Sequence, residues 1–273
     1  MQPSIVFSDL DGTFVATDKS VPPLNWDILD ELRHKNIEFV PCTGRSFSGL
    51  SQEILENDAV HYAVVANGAS VVDVRSSQPI YSMPLAKKYI TELYELVGNK
   101  DITFDLFTEG QVMSERRRYD RLDTFGVDPH NLRLIKSIRQ PVDMSVPEML
   151  EQYETIDRIT IMFKDIQDKK AILDYIDKNN EVAWVSSGSA NLEISSSGAS
   201  KGNALVWLCN YLGVDVARSI AFGDSLNDLS MIKAAGDGVA MDEASPVLIQ
   251  ACDHRAGSND EAGVALYLKN LID

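Results

Sequence analysis

Residues Ser4 to Thr13 form a short apolar run, Ile5, Val6 and Phe7, that ends in Asp9, Leu10, Asp11 and Gly12. The apolar residues are strand formers. Gly12 lets the chain break sharply after the acids. A buried strand that delivers Asp9 and Asp11 to its end is costly unless something binds their charge. The other reading is a solvated turn, because Asp and Gly are turn residues. The rest of the chain has to choose between them.

The same pattern recurs along the chain. Pro22 and Pro23 suit a helix start, and Leu24, Ile28, Leu29 and Leu32 follow at helical spacing. Ile37 to Val40 is a second short strand, ending in Pro41, Cys42, Thr43, Gly44 and Arg45. Phe47, Leu50 and Ile54 make another helical stripe, and Ala63 to Ala66 a third strand ending in Asn67, Gly68 and Ala69. Val71, Val72 and Val74 with Ile80 and Tyr81 read as a hairpin. Strand, helix, strand, helix, strand implies a parallel sheet covered by helices.

From Pro84 the texture changes. Ile102, Phe104 and Leu106 alternate as a half-exposed strand does, and alternation returns from Arg158 to Phe163. A charged segment between them carries Arg116, Arg117 and Arg118. This middle third reads as an inserted α+β domain with a one-sided sheet. The first texture resumes after it. Asn191 to Ile194 is strand-like, Ser200, Lys201 and Gly202 open a long helix, and Ser219 to Phe222 ends in Gly223 and Asp224. The expected organisation is an α/β, Rossmann-like parallel-sheet core over residues 1–83 and 187–273, with an α+β cap domain inserted over residues 84–186.

The formal net charge of -16 argues against a nucleic-acid or anionic-membrane surface. It leaves an anionic small substrate open, because a bound cation reverses the sign locally. Cys42, Cys209 and Cys252 lack zinc-like spacing and, being odd in number, give no disulfide framework. They read as buried thiols in a reducing compartment. The N-terminus has no signal-peptide pattern and no apolar run is long enough to span a bilayer, so a cytoplasmic protein is expected.

In an open α/β sheet, ligands bind beyond the carboxyl ends of the strands. Asp9, Asp11, Thr43, Gly44, Lys201, Asp224 and Asp228 are all expected there. Asp9 and Asp224 suit a hard cation, with Mg²⁺ the expectation. A carboxylate can also attack phosphorus. Asp11, two residues beyond Asp9, lies on the same side of an extended chain and suits acid/base work. Thr43 offers a hydroxyl and backbone N–H groups at a helix N-terminus, a seat for phosphate.

Lys201 opposes the dipole at its helix start, which favours a nearby anion; taken alone it reads as a solvated lysine. Asp228 is four residues after Asp224. It is either ordinary helix-start acidity or a group behind the metal ligands that holds the metal or Lys201. Asn227 is a donor to phosphate or a turn residue. Gly44 to Gly49 has P-loop glycine spacing, but Leu50 and Ser51 replace the required lysine and hydroxyl residue. The segment Asp9 to Thr13 lacks the positions of a calcium loop. His34, His61, His130 and His254 are scattered singly.

Asp9 to Thr13, Thr43 to Arg45, Asn67 to Ala69, Ser200 to Gly202, Gly223 to Asp228 and Gly238 to Met241 stand in an order that resembles the haloacid dehalogenase superfamily, in its Cof-type sugar-phosphatase branch. The resemblance covers essentially the whole chain. It implies a Rossmann-like core with a large inserted cap, Mg²⁺, Asp9 as nucleophile and Asp11 as acid/base. It also implies Thr43 and Lys201 on phosphate and Asp224 on the metal. Asp9 and Asp11 are both counted with the metal site, and Gly44 and Asn227 with phosphate. Phe14, Asp242 with Glu243, and Cys252 to His254 depart from the usual pattern and bear on the rim of the site.

The expectation is a Mg²⁺-dependent phosphatase of small phosphomonoesters, sugar phosphates above all, acting through an aspartyl-phosphate as a monomer or weak homodimer. A phosphomutase would use the same intermediate. A metal-dependent glycosyltransferase would use an Asp-x-Asp pair without needing Lys201. A non-catalytic phosphate sensor would have no need of both Asp9 and Asp11. Specificity is expected in the cap, and the basic run at Arg116 reads as a solvated face.

Overall fold

The computed structural model describes residues 3–127, 129–186, 190–252 and 254–272. Asp253 and the side chain of His130, both singled out above, lie outside the described residues. The chain forms two compact units. One comprises the chain up to Arg45, Leu50–Ser82 and the chain from Ala199 onward; the other comprises Ser46–Gly49 and Met83–Gly198.

The first unit begins with β1 (Ile5–Ser8), α1 (Pro23–His34), β2 (Glu38–Pro41), the one-turn α2 (Gln52–Leu55), β3 (Tyr62–Val65), β4 (Ser70–Asp73) and β5 (Gln78–Ser82). The second unit supplies α3 (Lys87–Val97), β6 (Asp105–Thr108), β7 (Gln111–Glu115), α4 (Arg116–Tyr119) and α5 (Pro129–Ile138). It continues with β8 (Arg139–Val142), α6 (Val146–Gln152), β9 (Arg158–Met162), α7 (Lys169–Ile176), β10 (Val182–Val185) and β11 (Asn191–Ser196). The chain then returns to the first unit through α8 (Lys201–Leu212), β12 (Ser219–Gly223), α9 (Leu229–Ala234), β13 (Asp237–Ala240), α10 (Pro246–Ala251), β14 (His254–Arg255) and α11 (Gly263–Ile272).

In the first unit the order β14-β13-β12-β1-β2 is parallel throughout. Strand β1 is interior, and Ile5, Val6 and Phe7 are fully buried, as a strand covered on both faces requires. Strand β3 lies beside the end of β2 in the expected parallel sense, but without a continuous ladder. It pairs antiparallel with β4 in the sheet β3-β4-β5 and touches the parallel sheet through a single bridge, Cys42 to Val64. The helical stripe expected over residues 47–54 is only a 3₁₀ turn, Phe47–Gly49, followed by α2. Ile54 and Leu50 still bury their side chains.

The second unit is a six-stranded sheet, β10-β11-β9-β6-β7-β8, antiparallel except for β7 with β8. Leu106, Ile159, Ile161, Leu192 and Ile194 line one face and pack with Ile90, Leu93, Met149 and Ile172 from the helices. The boundary expected after Ser186 is corrected here. Asn191–Ser196 pairs along its length with β9 and β10, so this strand belongs to the second unit, which runs to Gly198. Its alternation fits that place, because Leu192 and Ile194 enter the apolar core.

The other sheet face is not the solvated surface expected of a one-sided sheet. Arg139 pairs with Asp105 (2.8 Å) and Arg158 with Glu193 (2.9 Å), and both arginines are buried. The basic run is in part the solvated face expected, since Arg116 and Arg117 are exposed, but Arg118 is buried. Arg116 pairs with Asp143 (2.5 Å) and Arg117 with Glu115 (3.1 Å). Arg118, which is buried, pairs with Glu115 and donates to the carbonyls of Gly98 (2.6 Å) and Ile102 (2.9 Å). It thereby satisfies a carbonyl just past the end of α3. Among the described residues no helix is long and apolar enough to cross a membrane.

Candidate active site

Three parallel strands end in the residues expected from the sequence: β1 in Asp9, β2 in Cys42 and Thr43, and β12 in Gly223 and Asp224. Asp9 extends the ladder by donating its N–H to Phe222 O (2.9 Å), so its side chain leaves a rigid backbone. Gly12 follows at φ +88, and a Cβ there would lie 2.9 Å from Asp224 Oδ2. The glycine is therefore required twice, by its backbone angle and by the close approach of Asp224.

Lys201, the first residue of α8, is fully buried and donates Nζ to Asp9 Oδ1 (2.6 Å) and Asp228 Oδ1 (2.5 Å). The Ser200 hydroxyl accepts from Asn203 N and caps the helix, which leaves Lys201 free to serve the site. Asp228 is fully buried too, and its Oδ2 accepts from Asp224 N (3.0 Å) and Ser225 N (2.9 Å). It locks the turn after β12 and holds Lys201. Asp224 receives Thr13 Oγ1 (3.1 Å) and Ser225 Oγ (2.7 Å).

Burial pushes the Asp9 carboxyl well above the usual carboxylate range; Lys201 pulls it down, while Asp228 and Asp224 push it further up. Asp224 is raised as well, chiefly by burial, with Asp228 adding to the effect. Burial works against the Lys201 charge, but Asp228 and Asp9 outweigh it and keep the ammonium protonated. A buried and a half-buried acid whose charge is discouraged, side by side, are what a divalent cation would relieve.

Asp9, Asp224 and Asp228 each offer an oxygen, all within 4.8 Å of one another. Asp228 is fully buried with its oxygens held by the Lys201 ammonium and two backbone amides, whereas Asp224 is half-buried and accepts from two hydroxyls, so Asp9 and Asp224 are the better donors. Hard carboxylate oxygens of this kind fit a hard divalent ion.

Asp11 stands apart from this group. Its side chain, counted with the metal ligands from the sequence, instead takes Arg45 Nε on Oδ2 (2.8 Å) and Arg45 Nη2 on Oδ1 (2.7 Å). Lys19 Nζ also donates to Oδ1 (2.8 Å). Burial alone would raise the Asp11 carboxyl, but Arg45 and Lys19 overcome it and bring it down to about 2.

Thr43 is buried, and its N–H is spent on Val64 O (2.9 Å). No α-helix begins at this position; Gly44 lies in a bend and the chain enters the 3₁₀ turn at Phe47. The expected helix-terminus seat for phosphate is thus corrected to a bend. Thr43 Oγ1 accepts from Arg45 N (3.1 Å), which leaves its own proton to donate. Asn227 Nδ2 donates to Asn67 Oδ1 (3.1 Å), and Asn67 N donates to Thr43 O (3.0 Å). Gly68, at φ +90, allows the Ser200 carbonyl to come within 2.2 Å of where a Cβ would be. Arg45, Asn67 and Gly68 were visible only as members of short motifs. Lys19 gave no sequence signal, being one lysine in a polar loop.

The chain and its fold have counterparts among known proteins. A family model described as haloacid dehalogenase-like hydrolase matches residues 6–268. The phosphatase YwpJ of Bacillus subtilis is 28% identical, with 98% of this chain and 99% of that protein covered. A solved haloacid dehalogenase-like hydrolase from B. subtilis superposes with a TM-score of 0.83 at 28% identity, covering 98% of this chain and 99% of that one. The subclass IIB sugar phosphatase BT4131 shares the fold, with a TM-score of 0.82 at 18% identity over 98% of both chains. With a parallel-sheet core, an inserted α+β unit and the acids at the strand ends, the chain belongs to the haloacid dehalogenase-like hydrolases, as a phosphatase of the Cof-type branch.

Proposed function

We propose that the protein hydrolyses small phosphomonoesters, sugar phosphates in particular, with Mg²⁺ bound and through a phosphoryl group carried on Asp9. The observation that carries this reading is the Asp9 carboxylate, buried with one oxygen held by Lys201 and beside the Asp224 carboxylate. Asp9 Oδ2 forms the bond to phosphorus as the ester oxygen leaves. Lys201 fixes the other oxygen and supplies a permanent positive charge where phosphate charge accumulates. Mg²⁺, when held by Asp9 and Asp224, supplies the further charge that lets a phosphate dianion approach two carboxylates. The Thr43 hydroxyl donates to a phosphate oxygen.

Asp11 gives a proton to the leaving oxygen and takes one from the water that attacks the phospho-Asp9. With Arg45 and Lys19 on it, Asp11 is ionised at neutral pH, which suits the second task. It can donate in the first only from a state in which those cations no longer compensate its charge. Sugar phosphates are favoured as substrates because BT4131, which shares the fold, is a sugar phosphatase. We place the discrimination among sugars in the inserted unit.

A panel of phosphate esters, assayed for inorganic phosphate with Mg²⁺ and with a chelator, tests this reading. Mg²⁺-dependent release from hexose or pentose phosphates is expected. Formation of an isomeric sugar phosphate without release would identify a mutase instead. Turnover that survives thorough chelation would remove the metal from the scheme.

A further inference from the structure

The chain leaves β3 through three successive residues of left-handed backbone: Ala66 at φ +51, Asn67 at φ +59 and Gly68 at φ +90. Glycine takes such an angle freely and asparagine tolerates it, but alanine seldom adopts it. All three residues are buried. The backbone of the turn is fixed from outside. Ala66 N donates to Arg45 O (2.9 Å) and Asn67 N to Thr43 O (3.0 Å), while Ala69 N closes the turn on Ala66 O (3.3 Å). Strained residues held by over-determined surroundings gather where function needs them.

The turn delivers the Asn67 side chain to a second loop. Its Oδ1 accepts Nδ2 of Asn227, 160 residues further on. Asn227 is half-buried in the 3₁₀ turn Leu226–Asp228, which follows β12. Its Nδ2 carries two hydrogens, so the bond to Asn67 uses one and leaves one to donate. The bond also sets the direction of the second hydrogen, because turning the planar amide about Cβ–Cγ would break it. The Asn67 backbone meanwhile holds Thr43, whose hydroxyl keeps its own proton to donate. One residue thus ties together two neutral donors that come from different strand ends.

We propose that Asn67 is a positioning residue for Asn227, turning its amide so that the remaining N–H meets a phosphate oxygen of the substrate. The inference rests on the phosphomonoester reading given above, with Asn227 among the phosphate donors. A donor that is already aimed loses less freedom when phosphate arrives. Asn67 should therefore act on phosphate affinity, and only through Asn227.

The test is a double-mutant cycle read on inorganic phosphate, titrated calorimetrically into the full chain with Mg²⁺. Asn227→Ala removes a hydrogen bond to a charged group and should weaken phosphate binding by about tenfold or more. Asn67→Gly should weaken it by about three- to fivefold, the cost of an amide left free to turn. The double variant should be at most about twofold weaker than Asn227→Ala, since no amide remains to be aimed. Glycine accepts φ +59 without strain, so the turn keeps its path in Asn67→Gly. With 4-nitrophenyl phosphate, Asn67→Gly should raise KM by the same factor and change kcat by less than about twofold, as a loss of uniform binding does.

Losses that multiply in the double variant would overturn the proposal and leave Asn67 as a fastener between two loops. So would an unchanged phosphate affinity in Asn67→Gly, or a fall in kcat with KM unaltered. If Asn227→Ala leaves phosphate affinity unchanged, Asn227 is no phosphate donor and the inference falls with that assignment. Failure to hydrolyse any ester would instead sink the proposed function, and the calorimetric cycle, which needs no turnover, would still decide the role of Asn67.

Discussion

Lys201 and Asp228 form an ion pair 2.5 Å long in which neither side chain is open to solvent. Removing one partner of such a pair leaves a charge with little hydration, and Asp228 also accepts the amides of Asp224 and Ser225. Asp228→Ala should therefore cost about 3–5 kcal/mol of unfolding free energy. Asp228→Asn, which keeps an acceptor for the amides, should cost less. Urea unfolding of the three proteins checks the order, and a loss below about 1 kcal/mol in the alanine variant would contradict it.

Asp9→Asn should reduce phosphate release by at least about 10⁴-fold, because the nucleophile itself is gone. Acid-quenched native protein should carry the mass of one phosphoryl group during turnover, mapped to the peptide holding Asp9. An adduct on any other side chain would end the assignment.

Gly68→Ala should be disproportionately harmful for a change of one methyl group. The new carbon would fall 2.2 Å from the Ser200 carbonyl and 2.6 Å from Lys201 N, at a φ of +90. The start of α8 would have to shift, carrying Lys201 with it. A loss of about 2 kcal/mol or more is expected, alongside a lowered kcat. Thermal denaturation and steady-state kinetics read the two effects separately.

Asp157 gives a pH dependence that does not involve the catalytic acids. Burial raises its carboxyl to about 6, against a modest opposing pull from Arg158. A folded pKa above the unfolded one means that the folded state favours the protonated acid. The stabilisation is complete below the unfolded pKa of about 4 and is lost as pH rises through about 6. A shift of roughly two units corresponds to at most about 3 kcal/mol, less because water still reaches the half-buried side chain. Asp157→Asn should therefore raise the melting temperature more at pH 8 than at pH 4.5. An equal shift at both would show that the acid is not perturbed.

The basic run offers a contrast within one turn. Arg117 is 67% exposed, and its loss leaves Glu115 with Arg118, so Arg117→Ala should cost less than about 1 kcal/mol. Arg118→Ala strips the buried partner from Glu115 and a donor from the carbonyls of Gly98 and Ile102, and should cost about 3 kcal/mol or more. Neither should alter turnover of 4-nitrophenyl phosphate more than about twofold. Denaturant midpoints and initial rates decide.

What could be read from sequence was whatever is encoded locally. Asp9 and Asp224 stand out because each follows a short apolar run, and Lys201 because a cation is out of place at a helix start. The sheet partner of a strand is not written in that strand. From sequence Asn191 to Ile194 reads as part of the core, and only the pairing of Asn191–Ser196 with β9 assigns it to the inserted unit. Ala63 to Val65 meets the parallel sheet in the parallel sense read from sequence, but its continuous ladder is the antiparallel one with β4, for the same reason. The alternating polar residues Asp105, Arg158 and Glu193 read as a wet face, because the ion pairs that let them be buried join residues 34 or more apart. The link from Asn67 to Asn227 joins residues 160 apart, and nothing local marks it.

The neighbours of β1 fix an order of events during synthesis. Ile5 pairs with Ser219 on one side and with Glu38 on the other, so β1 emerges early and gains one neighbour soon after. Its second edge stays open until β12 has been made. Every pairing in the six-stranded sheet, by contrast, closes within residues 105–196. The inserted segment can complete its own hydrogen bonds while the N-terminal strand still waits, since domains with contiguous contacts fold as units during elongation. A nascent chain stalled just before Ser219 would thus present the wholly apolar stretch Ile5 to Phe7 with one edge unpaired, and Asp9 would stand without Asp224 beside it until the ribosome passed that residue.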